Sequence, residues 1–270
     1  MQLNFWTMDL SQIKMVVTDM DGTLLNSNHE VSPRFFEIFD ELRKKDILFV
    51  AASGRQYNSM VDKLHSIKDD IIVIAENGAL VKQKGEVLLT TPITKSEVDR
   101  ILDVVQPLSN AHPVLCSQNG AFANPDSDDF LKLLKEYYSE FEVVEDQTKV
   151  DTEILKIAIY HFESSERHIY PAVRSLEDSL KVKVSGANWV DISHQNAHKG
   201  YALQKVMDQH QITSNEVMVF GDYNNDLEML QLSNYSFAMA NAHPNVLKIA
   251  QYTTASNNEF GVEKVLEKLI

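Results

Sequence analysis

Asp19 and Asp21 stand two residues apart, directly after the apolar run Met15–Thr18, and are followed by Gly22 and Thr23. Two carboxylates this close raise one pKa or call for a cation. Gly22 permits a tight turn behind them, and the Thr23 hydroxyl can bond back to the loop backbone. Near the other end of the chain, Asp222 and Asp226 follow a second apolar run, Glu216–Phe220, with Asn225 beside them. At i, i+4 spacing these two acids share one face of a helical first turn. Alone, the first cluster reads as a solvated acidic loop and the second as acids capping a helix. Four carboxylates at two predicted strand ends point instead to a hard cation. Mg²⁺ fits that donor set, since it takes one or two carboxylates, waters and a substrate phosphate. A calcium loop of the EF-hand type fails on spacing, because its obligatory sixth-position glycine would be Leu24 or Leu227.

Positive charge is offered at two other places. Lys199-Gly200 opens a predicted helix, where the ammonium can neutralise a phosphate oxygen as a point charge. Ser53-Gly54-Arg55 follows another apolar run and offers a hydroxyl, a backbone N–H and a guanidinium. Each has an ordinary reading too: a surface lysine, a helix N-cap, a surface arginine. The formal net charge of −14 makes the local charge matter. A field of that sign repels nucleic acid and anionic lipid, and it repels a phosphate ester as well. A phosphate site on this chain therefore has to supply its own cation.

The elements that must position these residues are legible as periodicity. Met15–Thr18, Ile47–Ala52, Ile71–Ala75, Glu216–Phe220 and Tyr235–Met239 are short apolar runs separated by helical patterns. That alternation predicts a parallel sheet covered on both faces, whose C-terminal strand edge is the usual ligand site. Ser32-Pro33 reads as an N-cap with proline at the first helical position. Leu80–Leu89 reads as a hairpin. The middle of the chain differs. It has a capping box at Thr94–Glu97, a hairpin turn at Asn119-Gly120, a long strand at Ile154–Phe162 and an amphipathic helix over Glu166–Leu180. The expected architecture is α/β: a Rossmann-like parallel-sheet core domain over 12–87 and 189–270, with an α/β (α+β) cap domain inserted over 88–188.

The motifs in this order resemble the haloacid dehalogenase superfamily, in its Cof-type, sugar-phosphatase-like branch. DMDGTLL at Asp19–Leu25 is similar to the first motif, Ser53-Gly54-Arg55 to the second, Lys199-Gly200 to the third and GDYNNDLEML at Gly221–Leu230 to the fourth. Glu76-Asn77-Gly78-Ala79 matches a further segment of the branch. The resemblance spans the chain from about Lys14 onward. It implies a phosphatase with Asp19 as nucleophile and Asp21 as general acid and then base. Mg²⁺ would be held by Asp19, the Asp21 backbone carbonyl and Asp222, with Asp226 completing the acidic constellation. Gly22, Ser53, Gly54, Arg55, Lys199 and Asn225 would line the phosphate site. To protonate a leaving alcohol, Asp21 needs a raised pKa in the enzyme–substrate complex.

Two other readings remain open on the residues alone. One is a phosphomutase, which uses the same paired aspartates; the other is a non-catalytic module that binds sugar phosphates. His194 and His198 invite zinc, but no second cysteine or His-Glu-x-x-His accompanies them. The single cysteine, Cys116, excludes an internal disulfide and suits a cytoplasmic setting. Residues 1–11 read as a leader without a secretory pattern, with Met8 as an alternative start. No apolar run is long enough to cross a bilayer. The expected partner is a small-molecule phosphate ester, not nucleic acid or membrane.

Overall fold

The computed structural model describes residues 10–125, 127–138 and 140–270. Met8 and most of the expected leader lie outside the described residues. The chain begins with β1 (Met15–Asp19), α1 (Pro33–Lys44), β2 (Leu48–Ala52), α2 (Tyr57–Lys63), β3 (Ile72–Ala75), β4 (Leu80–Gln83) and β5 (Glu86–Thr90). It continues with α3 (Lys95–Val105), β6 (Ala111–Ser117), β7 (Gly120–Ala123), α4 (Asp128–Tyr137), β8 (Phe141–Val143) and β9 (Lys156–His161). Then come α5 (Ser165–His168), α6 (Tyr170–Val173), β10 (Leu180–Val184) and β11 (Trp189–His194). The last third is α7 (Lys199–His210), β12 (Val217–Gly221), α8 (Leu227–Leu230), β13 (Tyr235–Ala238), α9 (Pro244–Ile249), β14 (Tyr252–Thr253) and α10 (Gly261–Leu266).

Two compact units result, divided after Leu89 and again after Ala197. The first holds an eight-stranded sheet in the order β14-β13-β12-β1-β2-β3-β4-β5. Its strands are parallel from β14 to β3, and β4 runs antiparallel to β3. Every residue of β1, β3, β12 and β13 is buried, as a parallel sheet covered on both faces requires. Register fixes what emerges at the C-terminal edge. Asp19 pairs with Ala52, and Thr18 with Phe220, so the loops after β1, β2 and β12 leave the sheet side by side. The chain order reverses at β1, between β12 and β2, where an open α/β sheet leaves a crevice for ligands. Ser32 caps α1 by accepting from the Phe35 amide, and Pro33 follows it as expected. Phe35 is completely buried, with its ring 5.1 Å from that of Phe49 on β2.

The second unit is built on a six-stranded sheet in the order β10-β11-β9-β6-β7-β8. It is antiparallel except for the β7–β8 pair. Alternation along β9 puts Ile157 and Ile159 into one cluster with Ile101 of α3 and Val173 of α6. Ala158 and Tyr160 go to the opposite face, with Phe130 and Leu134 of α4. The Thr94–Glu97 capping box and the Asn119-Gly120 hairpin both form.

Two expectations are corrected here. The return to the first unit was expected after Asn188, but β11 pairs with β9 and β10 in the second sheet, which carries the boundary to Ala197. The cap reading of 88–188 stopped one strand short, because a short apolar strand carries no label of which sheet it will join. The helix expected over Glu166–Leu180 is broken into α5, α6 and a 3₁₀ turn over Arg174–Asp178. Pro171 lacks the N–H that a continuous helix needs and clashes with the turn before it. The apolar stripe survives the break, since Ile169, Val173, Leu176 and Leu180 are all buried together.

Replacing Phe35 by alanine leaves a ring-sized void against Phe49 and Phe39. It should cost about 3–5 kcal/mol of stability, read as a lower urea midpoint at unchanged slope.

Candidate active site

The first unit alone supplies every residue of the four motifs. Asp19 ends β1, Asp222 follows β12, and Lys199 is the first residue of α7. The N-cap of α7 is His198, whose ring accepts from the Tyr201 amide. Lys199 is completely buried. Its ammonium donates to Asp19 Oδ1 at 2.6 Å and to Asp226 Oδ1 at 2.7 Å. The other oxygen of Asp226 accepts from the backbone amides of Asp222 (2.9 Å) and Tyr223 (3.0 Å). Asp226 thus fastens the loop after β12 to the lysine, and both its oxygens are in use. Asp19 Oδ2, by contrast, is buried without a hydrogen bond.

Three carboxylates around one ammonium leave an excess of negative charge. Burial pushes the Asp19 carboxyl up, Lys199 pulls it back, and Asp226 and Asp222 push it up again. Asp222 is pushed up to about 6, chiefly by burial and then by Asp226, against the pull of Lys199 and the Thr23 hydroxyl. Burial would lower the Lys199 ammonium, but the two carboxylates hold it protonated. One oxygen from each of Asp19, Asp222 and Asp226 lies within 4.8 Å of the others. Among the described residues this is the one group of acids and histidines arranged to hold a metal ion. An orphaned buried oxygen beside a half-buried acid of raised pKa fits a divalent cation, which would supply the missing positive charge.

Glycine is dictated at position 22. Its φ is +81°, and a Cβ there would lie 2.2 Å from Asp222 Oδ2. The turn after Asp21 therefore brings its backbone against the second acidic cluster. Thr23, expected to bond back to the loop, points its hydroxyl at Asp222 Oδ1 instead (3.4 Å).

Arg55 and Asp21 form a pair that the sequence did not announce. The guanidinium donates from Nε to Oδ2 and from Nη2 to Oδ1, both at 2.6 Å. His29 Nδ1 lies 3.3 Å from the same carboxylate. The Arg55 bonds hold the Asp21 carboxyl below the usual carboxylate range. Sequence reasoning asked for a raised pKa when substrate is bound; without substrate the acid is ionised and clamped. Ser53 is buried and its hydroxyl accepts from the Arg55 amide, so it orders its own loop. The N-cap of α2 is Gln56, not Ser53. Asn225 donates to the side-chain oxygen of Asn77 at 3.0 Å.

Asn77 and Asn241 were missed as members of this group. Asn77 sits in the quoted Glu76–Ala79 segment but was given no role. Asn241, which donates to the Gly22 carbonyl at 2.8 Å, had as its signal only its place just past the end of β13. The rings of His194 and His198 each accept from a nearby backbone amide and fall in separate units. Cys116 is buried, as expected of an inert thiol.

A family model described as haloacid dehalogenase-like hydrolase matches residues 16–266. The chain belongs to that family. This hydrolase is 29% identical to the 5-amino-6-(5-phospho-D-ribitylamino)uracil phosphatase YbjI of Escherichia coli, over 96% of each chain. It is 26% identical to phosphatase YwpJ of Bacillus subtilis, over 96% of this chain and all of the other. Among solved structures, a protein of Eubacterium rectale superposes with a TM-score of 0.89 at 29% identity, over 96% of this chain and 100% of that one. The four motifs of the hydrolase fall at the ends of β1, β2 and β12 and the start of α7. Among the described residues, no helix is long and apolar enough to cross a membrane.

Three outcomes are expected of divalent-cation binding and unfolding followed by calorimetry. Asp222 takes up a proton below about pH 6 in the cation-free protein, so affinity should fall as pH drops from 7.5 to 5. The same raised pKa makes the Asp222 contribution to the stability of the cation-free fold fully present below pH 3.8 and lost as pH rises through about 6, so Asp222→Asn should flatten that part of the pH profile and bound cation should offset the loss. Gly22→Ala should weaken binding by roughly tenfold or more, because its Cβ displaces the Asp222 carboxylate.

Proposed function

We propose that this hydrolase is a Mg²⁺-dependent phosphatase of small phosphate monoesters that carries the phosphoryl group transiently on Asp19. The observation that carries the reading is the Asp19 carboxylate: buried, with one oxygen on Lys199 and the other unpartnered. Such a group is oriented and has a lone pair available for attack on phosphorus. In the first step a bond forms between Asp19 and phosphorus, the ester P–O bond breaks, and Asp21 protonates the departing alkoxide. In the second, water attacks the aspartyl phosphate, gives a proton to Asp21 and releases phosphate and the Asp19 carboxylate. Splitting the reaction this way replaces one difficult displacement by two easier ones.

Asp19, Asp222 and the Asp21 backbone carbonyl would hold Mg²⁺, which supplies charge stabilisation for the phosphoryl oxygens. Asp226 acts through Lys199 and the loop after β12, since its oxygens are already engaged. Lys199 keeps Asp19 in place and neutralises charge in a dry site. The Ser53-Gly54 loop and Asn225 face the transferring group, and Gly22 lets the Asp222 carboxylate approach. Arg55 must release Asp21 before that acid can take up the proton it donates, so the incoming phosphate and Asp21 compete for one guanidinium.

Relatives named as phosphatases favour water as the acceptor over the bound alcohol of a mutase. The substrate named for the E. coli relative is a phosphorylated ribityl compound, so phosphorylated sugars and polyols are the class to try first. Such an ester and the single buried thiol fit a cytoplasmic enzyme without nucleic-acid or membrane partners.

With p-nitrophenyl phosphate and a panel of sugar and polyol phosphates, turnover should need Mg²⁺, stop with EDTA and vanish in Asp19→Asn. Asp21→Asn should lose about 10²–10⁴-fold in turnover on alkyl phosphates; with p-nitrophenyl phosphate, whose leaving group needs no proton, it should still release a first equivalent of p-nitrophenolate before the water step, common to both esters, limits turnover. A wild-type protein silent on the whole panel would overturn the assignment.

A further inference from the structure

Glu76, Asn77 and Gly78 follow β3 with three consecutive left-handed backbones, at φ of 49°, 54° and 98°. Only the last is a glycine. Two adjacent residues with side chains in that region are strained, and such strain persists where the surroundings hold it in place. The surroundings here are three of the motif loops. The Asn77 amide donates to the Ser53 carbonyl (2.9 Å) and the Glu76 amide to the Arg55 carbonyl (3.0 Å). A Cβ on Gly54 would lie 3.0 Å from Asn77 Nδ2 and 3.2 Å from Oδ1, so the carboxamide lies against that glycine. A Cβ on Gly78 would lie 2.4 Å from the His198 carbonyl oxygen, so the turn presses on the backbone that presents Lys199. Finally, Asn77 Oδ1 accepts from Asn225 Nδ2 at 3.0 Å.

We propose that Asn77 is a positioning residue: its left-handed backbone holds the Ser53-Gly54-Arg55 loop, and its carboxamide sets the orientation of Asn225 toward the phosphoryl site. The kinetic part of this inference rests on the phosphatase reading above; the structural part does not. Asn225 has a terminal amide that can rotate and exchange its two ends. One fixed acceptor on Nδ2 removes that freedom and leaves the remaining donor and the carbonyl oxygen aimed in defined directions. A residue type that tolerates the left-handed region and also carries an acceptor is needed for both tasks, and asparagine meets both requirements.

Three variants separate the tasks. Asn77→Gly keeps the backbone conformation available and removes only the carboxamide. Asn77→Ala removes the carboxamide and adds the backbone strain. Asn225→Ala, alone and combined with Asn77→Gly, completes a cycle. Asn77→Gly is expected to melt close to wild type and to lose about tenfold in kcat with little change in KM, the size of one lost hydrogen bond. Combined with Asn225→Ala it should be no worse than Asn225→Ala alone, because the two act as a unit. Asn77→Ala should show the same kinetic loss plus a lower melting temperature. Wild-type kcat in Asn77→Gly, or losses that simply add in the double variant, would overturn the proposal. Should the wild type hydrolyse none of the esters, the decision passes to ¹⁵N NMR of the side-chain amides. The hydrogen-bonded Asn225 Nδ2 proton should be shifted away from its random-coil position and slow to exchange with water in wild type, and should return to random-coil shift and faster exchange in Asn77→Gly. An unchanged Asn225 signal in that variant would equally overturn the proposal.

Discussion

A fully buried ammonium between two carboxylates governs the site. Removing Lys199 from water is costly unless each of its bonds is made, and Asp19 and Asp226 make them at 2.6 and 2.7 Å. The two acids come from opposite ends of the sequence, so this one contact fixes β1, the loop after β12 and the start of α7 relative to one another. The pairing is also incomplete by design of charge: Asp222 adds a third carboxylate, and one Asp19 oxygen has no partner. A site so arranged favours a cation on charge grounds, and it keeps an unpartnered carboxylate oxygen in a dry setting. Stability and chemistry draw on the same imbalance.

Backbone conformation enforces the approach of the loops. At Gly22 and Gly78, positive φ and the absence of a Cβ let one chain segment lie directly against another. The first brings the turn after Asp21 up to Asp222. The second seats the Glu76–Gly78 turn against His198 and Lys199. Where a side chain is present in the same region, at Glu76 and Asn77, hydrogen bonds to the Ser53 and Arg55 carbonyls hold the strained conformation. Four loops with few apolar residues are thus packed to a definite geometry without a hydrophobic core of their own.

Arg55 adds a constraint of another kind. Its bidentate grip on Asp21 is the strong planar form of a guanidinium–carboxylate bond, in a setting only partly open to water. It stabilises the ionised acid, which is the form suited to take a proton from water. The protonated form, suited to release an alcohol, requires that grip to loosen. Because a phosphate dianion is itself a ligand for guanidinium, an exchange of partners would, on the proposed phosphatase reading, couple substrate arrival to the state of the acid.

The sequence determined much of this directly. Continuous apolar runs at β1, β2, β3 and β12 specify a parallel sheet because both faces must be covered. Asp19, Asp21, Ser53, Lys199 and Asp222 were legible because each stands at the end of such a run or opens a helix, where side chains meet at one sheet edge. Local rules also gave the Ser32 cap, the Thr94–Glu97 box and the Asn119-Gly120 turn, since each depends on residues within one turn of chain. What the tertiary structure alone decided is pairing across long separations. Nothing local in Trp189–His194 says that it joins the second sheet, because strand partners are chosen by hydrogen-bond edges left open elsewhere. The Arg55–Asp21 clamp, the Asn225–Asn77 contact and the closure of Asn241 on Gly22 likewise join residues whose adjacency exists only once the sheet order is set. Pro171 marks the converse case: the apolar stripe was read correctly, but a single missing N–H broke the helix that should have carried it.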